Sequence, residues 1–234
     1  MTKVCNTRDL EKPEYRELAQ EYMTLANDGS RDWRANNHCF RAFEYTHSYR
    51  SLQLDTAKRM CDVGSENSIF TIWIKKRHPE LEIICVDPHL DGRLQNRAAL
   101  HDVDLKVDGG VFRPELGTFD RIACISVLEH VRSDDDVALV KQMAAQLEPQ
   151  GILAITVDYG PEDIPWPRRT ENVMGCGRMY GPQQVMDRII TPSGLEVVSD
   201  GPVDWTFRPL DNTLDWVDPL YVRYTSVVII LRKP

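Results

Sequence analysis

The stretch Arg59-Met60-Cys61-Asp62-Val63-Gly64-Ser65-Glu66-Asn67-Ser68 decides the fold. A short strand runs into an acid-x-Gly turn, and the turn opens a helix. Three further pieces follow at the right distances. Ile83-Ile84-Cys85-Val86-Asp87 is a second apolar strand ending in an acid, 25 residues after Asp62. Lys106-Val107-Asp108-Gly109 closes a third, short element. Phe119-Asp120-Arg121-Ile122-Ala123-Cys124-Ile125-Ser126-Val127-Leu128-Glu129-His130-Val131 is a fourth strand feeding a helix.

Outward from this core, strand and helix alternate from residue 58. The pattern predicts strands 59–63, 82–86, 104–107, 120–125 and 151–157, with helices at 67–77 and 134–147 and a loop or short helix near 90–100. Such alternation implies parallel strands joined by crossover helices. Ser133-Asp134-Asp135-Asp136 marks a favourable helix start, and Pro149-Gln150-Gly151 reads as the turn entering the fifth strand. An irregular stretch at 158–178 is long for a connection, as functional loops often are. Helix 181–190, strand 195–198, a Pro/Asp-rich connection at 201–220 and strand 224–231 end the chain. The two late strands lack an intervening helix, which suggests an antiparallel hairpin at the sheet edge. Ahead of the alternation, 11–28 and 37–54 read as helices outside any repeating unit. They read as an N-terminal helical cap, dividing the chain into 1–54 and 55–234.

With 234 residues, 42% apolar and 27% charged, the chain is an ordinary globular composition with room for a full core. No apolar run reaches the roughly 20 residues of a membrane span. The start lacks the apolar core of a signal peptide, so the cytoplasm is the default location. A net charge of −8, with basic groups only in short runs such as Lys75-Lys76-Arg77 and Arg168-Arg169, argues against nucleic acid as a partner. Cys61, Cys85 and Cys124 sit in strands as small hydrophobes. Cys5, Cys39 and Cys176 form no Cys-x-x-Cys pair, and no clustered His/carboxylate set implies a metal.

The series of pieces, above all Phe119-Asp120-Arg121-Ile122 leading to Leu128-Glu129-His130-Val131, resembles a class I S-adenosylmethionine-dependent methyltransferase over roughly residues 55–234. The resemblance implies an α/β fold: a seven-stranded, mostly parallel Rossmann-like sheet with an antiparallel last strand and helices on both faces. It implies S-adenosyl-L-methionine as cofactor and methyl transfer to O or N of a small-molecule acceptor, such as a sugar, an amino acid or a natural-product intermediate. A homodimer is compatible with it. Two rivals remain: an enzyme of the same fold and cofactor with non-methylating chemistry, and a non-catalytic partner subunit with a degenerate cofactor loop.

In open α/β sheets ligands bind at the carboxyl ends of the strands. By resemblance, Asp62 holds the cofactor's ammonium through water, with Gly64 and Ser65 forming the turn against it. The family's Asp-x-Gly-x-Gly-x-Gly is incomplete, because Glu66 and Ser68 stand at its second and third glycine positions. Glu66 adds bulk and negative charge there. Asp87, followed by Pro88, is placed to accept both ribose hydroxyls with its two oxygens. A dinucleotide enzyme uses the same acid, but Gly-x-Gly-x-x-Gly is absent and Asp108 is present. Asp108-Gly109 resembles the pair that receives the adenine amino group and a ring nitrogen; the alternative is an ordinary Asp-Gly turn. Ser126 and Val127 would lie against the adenine or methionine portion.

For the acceptor, His130 is a candidate general base, and Asp158 and Tyr159, after the fifth strand, are further catalytic candidates. The alternative is that His130 and Glu129 fasten their helix to the sheet. From the cap, Arg41 is placed to clamp the cofactor's carboxylate and Tyr45 to face the acceptor, unless the aromatics there are packing alone. Trp166, Arg168, Arg169 and Tyr180 follow the fifth strand, where the family builds its acceptor pocket. The two arginines suit an anionic acceptor or belong to a solvated loop.

Overall fold

The computed structural model describes residues 1–5, 9, 12–27, 39–66, 68–89, 91–132, 134–163, 177–207 and 225–234. Strands β2 (Arg59–Val63), β3 (Glu82–Val86), β4 (Lys106–Asp108), β5 (Phe119–Ile125) and β6 (Leu147–Tyr159) run parallel. β8 (Thr225–Arg232) lies antiparallel beside β6, and β7 (Glu196–Val197) pairs antiparallel with β8, as expected of the last hairpin. An eighth strand, β1 (Lys3–Val4), comes from the N-terminal segment and adds to β8, giving the order β1-β8-β6-β5-β2-β3-β4. Two residues are too short to carry a period, so this strand has no signal in the sequence. Thr2 anchors it: its hydroxyl bonds the Ile230 carbonyl (3.1 Å) and accepts from the Ile230 amide (2.9 Å).

Alternation along the strands splits the core into two layers. Met60, Ile83, Cys85, Ala123, Ile152, Ala154 and Ile230 face α1 (Pro13–Ala26), α2 (Cys39–Leu52), α3 (Ile69–Arg77) and α4 (Arg93–Leu100). Cys61, Ile122, Cys124, Leu153, Ile155 and Ile229 face α5 (Asp135–Gln146) and a helical run at 182–193. The helices of residues 1–54 thus share one buried cluster with the sheet. Cys5, Cys61, Cys85 and Cys124 are buried thiols outside any disulfide. Among the described residues, no helix is long and apolar enough to cross a membrane.

Two local differences from the sequence reading have physical causes. Residues 147–150, read as a helix end and turn, already belong to β6; the pairing with β5 shifts register between Phe119 and Arg121. Gln150 there takes a left-handed φ of 61°, and a Cβ on Gly151 would meet the Glu148 carbonyl at 2.7 Å, so this bulge needs its glycine. The last helix is not uniformly α. Val185–Ile190 is π-helical, with the Thr191 amide bonding back to Met186, and the next residue, Pro192, has no N–H to continue an α ladder.

Candidate active site

The carboxyl ends of β2, β3 and β5 open into a cavity of about 720 Å³. It brings together Gly64, Asp87, Pro88, Ser126, Val127 and His130, six of the residues singled out in the sequence. Its remaining wall includes Glu66, Val111, Phe112, Leu139 and Gln142. Glu66 was already marked by the cofactor-loop motif, but the sequence reading had no means of choosing the other four, because the 109–113 loop and α5 meet only in three dimensions.

The floor of the cavity is a pair of tight turns. Gly64, at φ +77°, donates to the Val86 carbonyl (2.7 Å) and lies so close to the β5 turn that a Cβ would come within 2.2 Å of Val127 Cγ2. Two non-glycine residues beside it are also left-handed, Glu66 at φ 34° and Ser126 at φ 52°. Such conformations cluster where surrounding structure holds them against their cost. Asp87 supports the first of them: its Oδ2 accepts from the Glu66 amide (3.1 Å) and its Oδ1 from the His89 amide (2.7 Å). A carboxylate has about four lone-pair sites, so each Asp87 oxygen keeps one for a ligand hydroxyl. The awkward Glu66 carboxylate is exposed and paired with Arg93 (3.2 Å), which offsets its charge.

Other expected residues stand outside this cavity. Asp62 is buried under α3, where Thr71 donates to its Oδ2; burial, with the charge of Asp87 adding, pushes its pKa up to about 7. Ser65 is buried behind the turn. Asp108 is gripped at both oxygens by the Arg113 guanidinium (2.8 and 2.7 Å) and also accepts from the Gly110 amide, so its pKa is held below the usual carboxylate range. Gly109 is exposed beside it. Asp108, expected to receive the adenine amino group, is thus also held by an arginine that the sequence reading overlooked.

A second polar cluster lies where α2 crosses the carboxyl ends of β5 and β6 and the amino end of the antiparallel β8. Glu44 Oε1 accepts from Ser126 (2.7 Å), Thr156 (2.9 Å) and Ser226 (2.7 Å), while Oε2 takes Arg41 (2.8 Å). Arg41 sits 6.0 Å from the Tyr45 ring, and the Tyr45 hydroxyl approaches Ser68 (3.5 Å). Glu129 is 1% exposed and its Oε2 has no hydrogen-bond partner among the described residues. Burial, then the charge of Asp158, raises its pKa well above the carboxylate range. Asp158 stands on β6 two residues beyond Thr156 and hence on the same face of the sheet. His130, partly open to solvent at the cavity wall, has its pKa lowered by desolvation and by Arg41.

Two tyrosines take other partners than those the sequence suggested. The Tyr159 hydroxyl donates to the Trp205 carbonyl (2.6 Å), with burial pushing its pKa up to about 12. Tyr180 donates to Asp136 (2.7 Å), within a buried network that also holds Arg178 and Arg188 (2.5 Å each). Neither tyrosine lines the cavity, and both hydroxyls have partners within the protein. Trp166, Arg168, Arg169 and Cys176 lie outside the described residues.

A parallel sheet with this cavity at its switch in strand order and an antiparallel final strand is the arrangement that the sequence reading expected of an S-adenosylmethionine-dependent methyltransferase. A methyltransferase-domain family matches residues 33–199, and the chain belongs to that family. No curated protein matches its sequence. Among solved structures, it is similar to an O-methyltransferase family protein from Burkholderia thailandensis (14% identity, TM-score 0.55, 97% of this chain and 70% of that one). It is also similar to the N-methyltransferase NodS from Bradyrhizobium japonicum (17%, 0.55, 85% and 99%). A third is coclaurine N-methyltransferase bound to N-methylheliamine and S-adenosylhomocysteine (13%, 0.61, 97% and 91%).

Proposed function

We propose that the enzyme methylates an oxygen or nitrogen of a small metabolite, such as a sugar, an amino acid or a natural-product intermediate. The observation that carries this reading is the juxtaposition of the Asp87 cavity with His130, the buried acid Glu129 and the partly buried Asp158. The residues present fit the cofactor: Asp87 offers two free acceptor sites to the ribose, and Val111, Phe112 and Leu139 offer an apolar wall to the adenine. Gly64 and Glu66 would border the methionine end, with Asp62 acting from below the turn. When bound, S-adenosylmethionine supplies an electrophilic methyl carbon, and in-line transfer then depends on alignment and exclusion of water.

The chain's own part is to place and deprotonate the acceptor. His130, with its pKa lowered, is a neutral base at neutral pH and takes the proton of the attacking group. Asp158 stands near the carboxyl end of β6 and, with Glu129, gives the acceptor's polar groups carboxyl oxygens to meet. Arg41, held by Glu44, keeps the charge of this corner balanced. Trp166, Arg168 and Arg169 remain our candidates for the rest of the acceptor site.

Calorimetric titration with S-adenosylmethionine and S-adenosylhomocysteine, followed by an acceptor screen for a 14-dalton mass gain (~14, one CH₂) under the cofactor-saturated condition, tests this reading. Micromolar binding of both and a mass shift lost in His130→Gln are expected. A folded sample that binds neither would point to a degenerate partner subunit, and a product without the added methyl to other chemistry.

A further inference from the structure

We infer that the chain carries a second ligand site, at the opposite edge of the sheet from the cofactor cavity, for a hydroxylated anion such as a sugar phosphate or sugar acid. The site is a cavity of about 1000 Å³ walled by β1, α1, the second half of α2 and the 198–204 segment. It borders Ile230 and Arg232, which pair with the start of the parallel run of β6 at Ala154 and Ile152. That is the amino-terminal edge of the parallel strands, and the two cavities share no lining residue.

His47 carries the argument for a hydroxyl. Its side chain is almost wholly buried, stacked on Tyr15 (4.2 Å, 13°) and packed on Phe43 (4.1 Å). Its Nδ1 lies 3.1 Å from the Phe43 carbonyl; a carbonyl only accepts, so Nδ1 holds the proton. Burial pushes its pKa down to about 3, which keeps the ring neutral and leaves Nε2 as a lone-pair acceptor. His47 lines this cavity, and its buried Nε2 has no hydrogen-bond partner among the described residues. An unpaired buried acceptor is costly, and a ligand O–H satisfies it.

Charge carries the argument for an anion. Lys3 and Lys12 line the cavity but are already paired with Asp9. Arg50, 4.8 Å from the Tyr15 ring centroid, and Arg232 also line it, and among the described residues neither forms an ion pair. Guanidinium groups suit phosphate or carboxylate oxygens. Asp200 and Asp204 share the cavity, and their oxygens suit further hydroxyls while repelling a bare anion.

The test is calorimetric titration of the full chain, saturated with S-adenosylhomocysteine, with glucose 6-phosphate, gluconate, glucose and inorganic phosphate. One hydroxylated anion should bind saturably and at least tenfold more tightly than glucose or phosphate. Arg50→Ala should weaken it at least tenfold without altering S-adenosylhomocysteine affinity. His47→Phe, which keeps the stacking, should erase the preference over phosphate. Three results overturn the inference: neither hydroxylated anion binds the folded protein; binding survives both Arg50→Ala and Arg232→Ala; or phosphate binds equally well, which means an adventitious ion only.

Discussion

Asp87 shows how much one carboxylate does here. It holds the left-handed Glu66 and the His89 amide, and it still has an acceptor site free on each oxygen. Asp87→Ala is therefore expected to weaken S-adenosylhomocysteine binding by about 2–3 kcal/mol, because two ribose hydroxyls lose their partner. Asp87→Asn, retaining one oxygen, should fall between the two. Unchanged affinity of a folded Asp87→Ala protein in calorimetry would remove this residue from the cofactor site. The acid itself was legible as the end of an apolar strand. The Arg93 partner that draws Glu66 aside was not, since the two are 27 residues apart and meet through the turn geometry.

Among elements, the decisive contact is between the turns that leave β2 and β5. Gly64 and Val127 interlock so closely that no side chain fits between them. Gly64→Ala should destabilise the fold and weaken cofactor binding together, by about 2–3 kcal/mol in urea denaturation, through overpacking and the positive φ. Val127→Ala in the same chain should restore part of that loss, since it removes the clash but leaves the φ strain. Fully additive single and double mutants would show that the two turns are not coupled. Gly64 was legible from its motif, whereas its neighbour depended on β5 lying beside β2, a pairing that crosses α3, β3, α4 and β4.

For the whole molecule, Glu44 and Asp62 tie layers together. Glu44 joins α2 to three strands through three hydroxyls and Arg41. Glu44→Ala leaves these donors without an acceptor and should cost about 3–5 kcal/mol of unfolding free energy. A change below 1 kcal/mol (~1, the range of exposed pairs) would reduce the cluster to surface electrostatics. Asp62 makes a different prediction. Its folded pKa is raised to about 7, so the native state binds a proton that the unfolded chain releases near the usual carboxylate value. Stability contributed by Asp62 is thus present in acid and declines as pH rises from that value toward 7, by at most about 1.4 kcal/mol per pH unit. Asp62→Asn should flatten this decline in denaturation curves across that range; an identical slope in both proteins would rule Asp62 out as its source.

By itself, the sequence determined the alternation of strands and helices, the late antiparallel hairpin and the acids at strand ends. Those features arise from local periodicity and from motifs a few residues long. Only the tertiary structure decided that Arg113 holds Asp108, that Glu44 gathers Ser126, Thr156 and Ser226, and that the Tyr159 and Tyr180 hydroxyls have partners within the protein. It also decided that Lys3–Val4 is a strand. Each of these depends on partners brought together from distant parts of the chain by the strand order, and hydrogen-bond choice among several nearby polar groups is settled by distance and burial, which a linear pattern does not encode.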